Sequence, residues 1–277
     1  MISIVVAYHN RKPQFQSTLE SIQKQNYADL EVIAVDDRSV DEHRIEDLET
    51  QFDFLKVVRL NRSEFRNPCL SYNVGFNNAL GDIVIIQSPE CIHVGNILEI
   101  TESKISENNY LSFATYSASH DLSQEISAHV RDDNSFDSAV QNLVLSSRQS
   151  GDFYLRDNVW FNHSVYSPRH YHFATAITKN NLERLNGFDE RYALGIDYDD
   201  NEFKYRIDKM GLQTVSIDNP FAVHLWHDHS FSDVIINGFF YPPQRLMDIN
   251  RNIFFNHTTK EDTWKAVHNE YYNCNRD

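Results

Sequence analysis

The first third of the chain alternates short apolar runs with helical patterns. The runs cover residues 2–7, 31–35, 55–60 and 83–86, and each has the length of one β-strand. Between them, apolar residues spaced three to four positions apart predict helices after Pro13, over 45–52 and over 70–80. Strands that alternate with helices at this spacing form parallel β-α-β units. The sequence therefore predicts an α/β fold with a Rossmann-like, mostly parallel central sheet flanked by helices.

The strand ends predict where a ligand binds. In open parallel sheets, ligands lie beyond the carboxyl ends of the strands. In this chain those ends are followed by polar residues at 8–10, 36–39 and 87–91. We expect these three segments to line one binding site.

The charge balance limits the partners. The 277 residues include 25 lysines and arginines and 40 acidic residues, a net charge of -15, which disfavours nucleic acid because it would need a basic face. The three cysteines are odd in number and widely spaced, which favours reduced thiols inside a cell. No signal peptide and no membrane-spanning apolar run is visible. We expect a cytoplasmic protein. Residues 230–277, which we call the aromatic tail, leave peripheral membrane contact open, and the sequence does not indicate the oligomeric state.

Carboxylates are concentrated in residues 187–206, which we call the acidic segment. Asp199 and Glu202 have the spacing of a helix N-cap and its reciprocal partner, so capping explains both. Capping does not explain Asp197 or Asp200. Clustered carboxylates of this kind suit a general base or a cation site.

The second half of the chain is less regular. Residues 111–113, 173–177 and 212–217 predict strands, and a helical pattern runs from 200 to 210. Residues 121–158 are polar without a period and predict loops. The aromatic tail predicts short helices packed over the body.

Five motifs follow one another along the chain. They are the opening strand with Tyr8-His-Asn10, the strand end Val35-Asp-Asp-Arg-Ser39, the helix with Asn73-x-Gly75 and Ala79-x-Gly81, the turn Gly187-Phe-Asp-Glu190, and the pair Asp199-Asp200. In this order they resemble family 2 glycosyltransferases of the GT-A fold. The resemblance implies a GT-A domain over 1–230, with 1–100 binding a nucleotide sugar and 101–230 an acceptor. Residues 231–277 would form a C-terminal helical extension packed on the body.

The resemblance also implies a donor site. The family transfers a sugar, with inversion, from a nucleotide-diphosphate sugar to a glycan, lipid-linked or protein-linked acceptor. Carried onto this chain, it implies that Ala7, Tyr8 and Asn10 frame the nucleoside and that Asp37 accepts a hydrogen bond from the base. An aspartate suits the N–H groups of uracil and of guanine alike, so a UDP-sugar and a GDP-sugar both remain open. Further donor contacts are expected from Arg66, the cation for the diphosphate, and from Gln87 and Ser88.

The chain departs from the family at the acidic metal motif. Where the family has Asp-x-Asp after a strand, this chain has Ser88-Pro-Glu90, so Glu90 is the carboxylate left there. Mn²⁺ or Mg²⁺ could be held by Glu90 with a histidine from the 224–229 segment, His227 by preference and His224 as second choice. The alternatives are that these histidines only pack or cap a strand, or that no metal binds.

The expected mechanism is a single in-line displacement in which Asp200 is the general base, with Asp199 as the alternative. A catalytically inactive GT-A-like protein that binds a glycan or a nucleotide is the main rival. Retention of Glu90 and of the Asp199-Asp200 pair argues against it. A sugar-nucleotide pyrophosphorylase is disfavoured because no glycine-rich loop follows the first strand. A zinc hydrolase is disfavoured because the spacing of His224, His227 and His229 is crowded for one ion.

Overall fold

The strands and helices alternate along most of the chain. A computed structural model describes residues 1–60, 67–130, 136–228, 234–236, 239–266 and 269. The strands are β1 Ile2–Tyr8, β2 Leu30–Asp37, β3 Leu55–Leu60, β4 Ile83–Gln87, β5 Cys91–Val94, β6 Asn109–Ser117, β7 Val159–Asn162, β8 Ala174–Thr178, β9 Gln213–His224, β10 Val234–Ile236 and β11 Phe239–Tyr241. The helices are α1 Lys12–Lys24, α2 Cys69–Asn78, α3 Ile97–Lys104, α4 His120–Val130, α5 Phe136–Ser146, α6 Lys179–Leu185, α7 Asp199–Met210 and α8 Pro243–Asn256.

Nine strands form one mixed sheet in the order β3-β2-β1-β4-β8-β6-β9-β5, with β7 paired to β6. The predicted parallel units are present, since β3, β2, β1 and β4 all run parallel. The second half of the chain adds antiparallel pairs: β8 lies antiparallel to β4 and β6, and β5 lies antiparallel to β9. The sheet is therefore parallel on one side and mixed on the other.

The register brings the predicted ligand segments to one edge. Tyr8 pairs with Asp36, and Val6 pairs with Gln87, so β1, β2 and β4 end together. On the other side of the sheet Cys91 pairs with His224. That pairing places the residue before β5, Glu90, beside the end of β9.

Both faces of the parallel half are covered, which explains its continuous apolar runs. Along β1, Ile4 and Val6 face the cluster that contains Phe15 and Leu19 of α1. Val5 faces the opposite cluster with α2, α6 and α7. This packing on both faces fixes the position of the sheet edge at which the predicted ligand segments lie.

Two sequence predictions about helices are wrong. Residues 121–158, expected to be loops, contain α4 and α5, which bury only narrow apolar faces such as Phe136, Val140 and Val144 on α5. The helix expected over 45–52 is a short 3₁₀ turn, Glu46–Thr50, although Ile45, Leu48 and Phe52 are buried as the pattern requires.

The C-terminal part packs against the acidic segment. Leu246 of α8 lies with Ile196 in one apolar cluster. The buried side chain of Asn250 donates to the carbonyls of Tyr192 and Asp197, at 3.1 and 2.8 Å. Within the described ranges, no helix combines the length and the apolar character needed to cross a bilayer.

Candidate active site

Glu90 is the centre of a buried cluster of cationic and imidazole groups. It follows the Ser88-Pro89 turn after β4 and is 2% exposed. The Nη1 atom of Arg11 lies 3.0 Å from its Oε2 atom. The Nε2 atoms of His224 and His227 lie 2.9 and 3.6 Å from its Oε1 atom. One carboxylate therefore meets an arginine on one oxygen and two histidines on the other.

The electrostatics of this cluster favour an ionised Glu90. Burial alone would raise its pKa, but the charge of Arg11 and the contact with His224 outweigh burial and hold the pKa well below its usual range. Burial lowers the pKa of His227 to about 3, against the opposing charge of Glu90. His227 is therefore neutral near pH 7 and keeps a lone pair.

The ligand atoms of this cluster fit a divalent cation. The ligand atoms of Glu90, His224 and His227 lie within 4.8 Å of one another. Nδ1 of His227 lies 2.9 Å from the carbonyl of Asp228, which orients the ring so that Nε2 faces Glu90 at 3.6 Å. One carboxylate with two imidazoles suits Mn²⁺ better than the harder, oxygen-preferring Mg²⁺. Histidine and Glu90, both expected as metal ligands from the sequence, thus come together here.

A second cluster joins two acids of the acidic segment to His172. The ring atom Nδ1 of His172 lies 2.7 Å from Oδ1 of Asp200, and Nε2 lies 3.2 Å from Oδ2 of Asp199. Asn67 donates to Oδ1 of Asp199 at 2.9 Å. Both ring nitrogens of His172 therefore lie within ion-pair distance of a carboxylate.

The start of α7 differs from the expected cap. Tyr198 holds the N-cap position without a side-chain hydrogen bond, and both Asp197 and Tyr198 have positive φ, 59° and 67°. Asp199 is thus the first residue of the helix, and its side chain serves the His172 bridge. Glu202 pairs with Arg206 instead of the helix start. The N-cap interpretation of Asp199 and Glu202 is therefore wrong.

Tyr72 of α2 lies beside both clusters. Its hydroxyl donates to the carbonyl of Gln87 at 3.1 Å, at the end of β4. Its ring packs edge-on against His172 with centroids 5.1 Å apart. Burial raises the pKa of Tyr72, and the charges of Asp199, Asp200 and Glu90 raise it further. The two clusters therefore border one region at the carboxyl edge of the sheet.

The expected nucleoside contacts lie at the ends of β1 and β2. Ala7 and Asn10 are half-buried, and Oδ1 of Asn10 accepts from the backbone N–H of Val40 at 2.9 Å. Tyr8 is buried, and its hydroxyl donates to the carbonyl of His43 at 2.6 Å. The side chains of Tyr8 and Asn10 thus form hydrogen bonds to the backbone of the segment that follows β2.

Asp37 lies at the same edge with one carboxylate oxygen engaged. Oδ1 of Asp37 accepts from Nε of Arg38 at 2.9 Å. Burial raises the pKa of Asp37, and Arg38 opposes that effect. The hydrogen bond from Arg38 keeps the carboxylate at the end of β2.

Of the remaining donor residues, Gln87 has its side chain turned into the protein. It donates to the carbonyl of Cys91 at 2.8 Å, and its Oε1 lies 2.6 Å from Nε2 of His93. Ser88 is half-buried in the turn before Glu90. Arg66 and His229 lie outside the described residues.

Sequence reasoning missed Arg11, Asn67 and His172. Arg11 follows the first strand directly and could have been considered with Asn10. Asn67 and His172 are far from the acids along the chain, so no local spacing connects them to Asp199 or Asp200.

The sequence and the fold both have known relatives. A family model described as Glycosyl transferase family 2 matches residues 3–122. The chain is 32% identical over 85 residues to the GalNAc(5)-diNAcBac-PP-undecaprenol beta-1,3-glucosyltransferase of Campylobacter jejuni. That alignment covers 30% of this chain and 27% of the relative, so the chain matches under a third of that protein.

Two solved structures show the same architecture. Residues 1–349 of TarS from S. aureus, in complex with UDP-GlcNAc, match with a TM-score of 0.57 and 14% identity, covering 84% of this chain and 62% of that chain. The mannosyltransferase PcManGT from Pyrobaculum calidifontis, in complex with GDP-Man and Mn²⁺, matches with a TM-score of 0.50 and 18% identity, covering 80% and 56%. This likeness confirms the predicted GT-A fold.

Proposed function

The chain belongs to glycosyltransferase family 2, and we propose that it transfers a sugar from a nucleoside-diphosphate sugar to a hydroxyl group of an acceptor, with inversion. The observation that supports the proposal is that the charges of both clusters, Asp199 and Asp200 in one and Glu90 in the other, act on the same buried residue, Tyr72. The Glu90 cluster, which contains Arg11, suits a departing diphosphate, and the Asp200 cluster suits the activation of a nucleophile. Together they supply the two ends of an in-line displacement.

Asp200 is the better candidate for the general base. Both oxygens of Asp199 are engaged, Oδ1 by Asn67 and Oδ2 by His172. Asp200 uses only Oδ1 in its contacts with His172, and its Oδ2 makes no hydrogen bond to any part of the chain that the structure describes. An acceptor hydroxyl can therefore donate to Oδ2 of Asp200.

The proposed reaction is a single displacement at the anomeric carbon of the donor. Oδ2 of Asp200 takes the proton of the acceptor hydroxyl as its oxygen bonds to the anomeric carbon, and the bond from that carbon to the diphosphate breaks. Arg11, with Arg66 as a further candidate, offsets the charge of the leaving diphosphate. Glu90, His227 and His224 would hold Mn²⁺ or Mg²⁺, which supplies Lewis-acid stabilisation of the same leaving group.

The relatives guide the choice of substrates. One solved structure binds UDP-GlcNAc and another binds GDP-Man with Mn²⁺, so we propose a UDP-sugar or a GDP-sugar as donor. The name of the Campylobacter jejuni relative includes an undecaprenol-linked glycan, so we propose a glycan or glycolipid acceptor and a cytoplasmic protein with peripheral membrane contact. We keep 1–230 as the catalytic unit and 231–277 as its extension.

The test is release of nucleoside diphosphate. The purified chain is incubated with UDP-GlcNAc, UDP-glucose or GDP-mannose, with and without Mn²⁺, and with a lipid-linked glycan or water as acceptor. We expect Mn²⁺-dependent release from one donor class. Asp200→Asn should lower kcat by about 10²–10⁴-fold while nucleotide binding, read as a thermal shift, is retained. Nucleotide binding without release from any donor would instead identify an inactive binding protein.

A further inference from the structure

His172 makes two contacts with one oxygen of Asp200. Its backbone N–H donates to Oδ1 at 2.8 Å, and its ring atom Nδ1 lies 2.7 Å from the same oxygen. The chain segment before β8 therefore fixes which oxygen of Asp200 is engaged. Oδ2 is the oxygen left for another partner.

The ring of His172 is held in place from several sides. Tyr72 and Phe188 pack edge-on against it, with centroids 5.1 and 4.9 Å away. On its far side Nε2 meets Asp199, whose other oxygen is held by Asn67. The buried ring is therefore enclosed by two aromatic rings and two carboxylates.

The contacts also define the protonation state. Carboxylate oxygens lie 2.7 Å from Nδ1 and 3.2 Å from Nε2, and two negative charges this close favour the charged form of the ring. Burial lowers the pKa of His172, but Asp200 and Asp199 outweigh burial and raise the pKa to about 10. A positive ring thus lies between two negative carboxylates near neutral pH.

We propose that His172 is the positioning residue for the general base: its imidazolium lies between Asp199 and Asp200, its backbone N–H holds Oδ1 of Asp200, and Oδ2 of Asp200 is thereby aimed at the acceptor hydroxyl. The proposal rests on the proposed role of Asp200. It assigns a function to a residue that makes no direct contact with the reacting atoms.

Other charged and titratable groups face this bridge. They are Asp197 in the loop before α7, Cys69 and Tyr72 on α2, Tyr171 before β8, and Glu90 before β5. These five groups are neutral or negative at pH 7 when they take their usual forms. Two cations lie further out, Arg156 acting on Asp197 and Arg169 on Tyr171. Among the described residues, His172 is the cation that forms an ion pair with Asp200.

The main experiment compares His172→Gln with the wild type and with His257→Gln, which removes an exposed histidine elsewhere. We expect His172→Gln to lower kcat by about 10²-fold with little change in the KM of the donor. We also expect kcat of the wild type to fall at high pH as the imidazolium of His172 loses its proton, near pH 10, and this fall to be absent from His172→Gln. A basic limb that is the same in both proteins would overturn the proposal, even if kcat falls, because a merely structural role predicts a lower rate with the same profile.

Two further measurements keep the outcomes distinct. Asp200→Asn is assayed in parallel: full activity in that variant would overturn the proposed function, whereas an inactive Asp200→Asn with an unchanged His172→Gln profile would overturn only the role of His172. If His172→Gln does not fold, ring ¹⁵N spectra of the wild type decide. One buried histidine with both nitrogens protonated at pH 8 supports the proposal, and its absence overturns it.

Discussion

The guanidinium of Arg11 lies 3.0 Å from the carboxylate of Glu90, although 79 positions separate them in the chain. Arg11 stands at the end of β1, and Glu90 lies between β4 and β5, so the pair joins the parallel and the mixed parts of the sheet. Glu90 is buried while the Arg11 side chain is 31% exposed. The contact thus presents a partly accessible cation where the diphosphate is expected.

Replacement of Arg11 should affect both stability and donor binding. Arg11→Ala leaves the buried Glu90 with fewer partners, and we expect a loss of about 1–3 kcal/mol in the free energy of unfolding together with a higher KM for the donor. Arg44→Ala is the control, because Arg44 forms an exposed pair with Asp41 and should change stability by less than about 0.5 kcal/mol. Urea denaturation and donor titration measure both effects. Equal behaviour of the two variants would rule out a role for the Arg11–Glu90 pair.

His227 should contribute to Mn²⁺ binding. We expect His227→Ala to weaken the Mn²⁺-dependent thermal shift so that more than about tenfold higher Mn²⁺ is needed for the same effect, because one of three ligands is lost. His257→Ala should behave as the wild type. The measurement is a Mn²⁺ titration of the melting temperature at a fixed nucleotide concentration. The same titration midpoint in His227→Ala and wild type would remove His227 from the site.

Gly75 is required by a close approach between α2 and β1. A Cβ atom at this position would lie 2.2 Å from Cγ1 of Val5 and 3.3 Å from Cγ2 of Val35. Val5 is buried and β-branched, so it has little freedom to move. We expect Gly75→Ala to destabilise the fold by about 1–3 kcal/mol.

A double-mutant cycle tests that cause. Val5→Ala removes the clashing methyl groups, so it should cost less in the Gly75→Ala background than in the wild type. Equal costs in the two backgrounds would show that the clash is not the reason. Chemical denaturation of the four proteins supplies the comparison.

The sequence was informative wherever one strand follows another through a helix. The runs that form β1, β2 and β4 are largely buried on both faces, and that environment produces an unbroken apolar run that is easy to identify. The positions of Asp37, at the end of β2, and of Glu90, in the turn after β4, could therefore be predicted from the strand pattern. The roles of Asp200 and Asp37 remain predictions.

The sequence was less informative where pairing is long-range or a strand is irregular. Asn219 and Pro220 lie inside β9, whose pairing with β6 shifts register between Phe113 and Thr115. The strand predicted over 212–217 ends before this proline, whereas β9 continues through it to His224. The His172–Asp200 contact joins residues 28 positions apart, and no local pattern encodes such a pair.

Asn250 should support the acidic segment from α8. Its buried amide donates to the carbonyl of Asp197, two residues before Asp199. We expect Asn250→Ala to lower kcat and to reduce the free energy of unfolding by about 1–3 kcal/mol, because a buried carbonyl loses its donor. Asn256→Ala, at an exposed position of the same helix, is the matched control. Wild-type kcat in Asn250→Ala would show that α8 does not hold the base in place.

The His172 bridge should leave a signature in the pH dependence of stability. The pKa of His172 is raised from 6.5 to about 10 in the folded protein. The folded state therefore binds a proton that the unfolded state releases, and this stabilisation is complete below about pH 6.5 and is lost as the pH rises to about 10. The difference in unfolding free energy between wild type and His172→Gln should shrink by about 3–5 kcal/mol over that window. Urea denaturation of both proteins at pH 6, 8 and 10 measures it, and a constant difference would mean that the ring is neutral in the folded state.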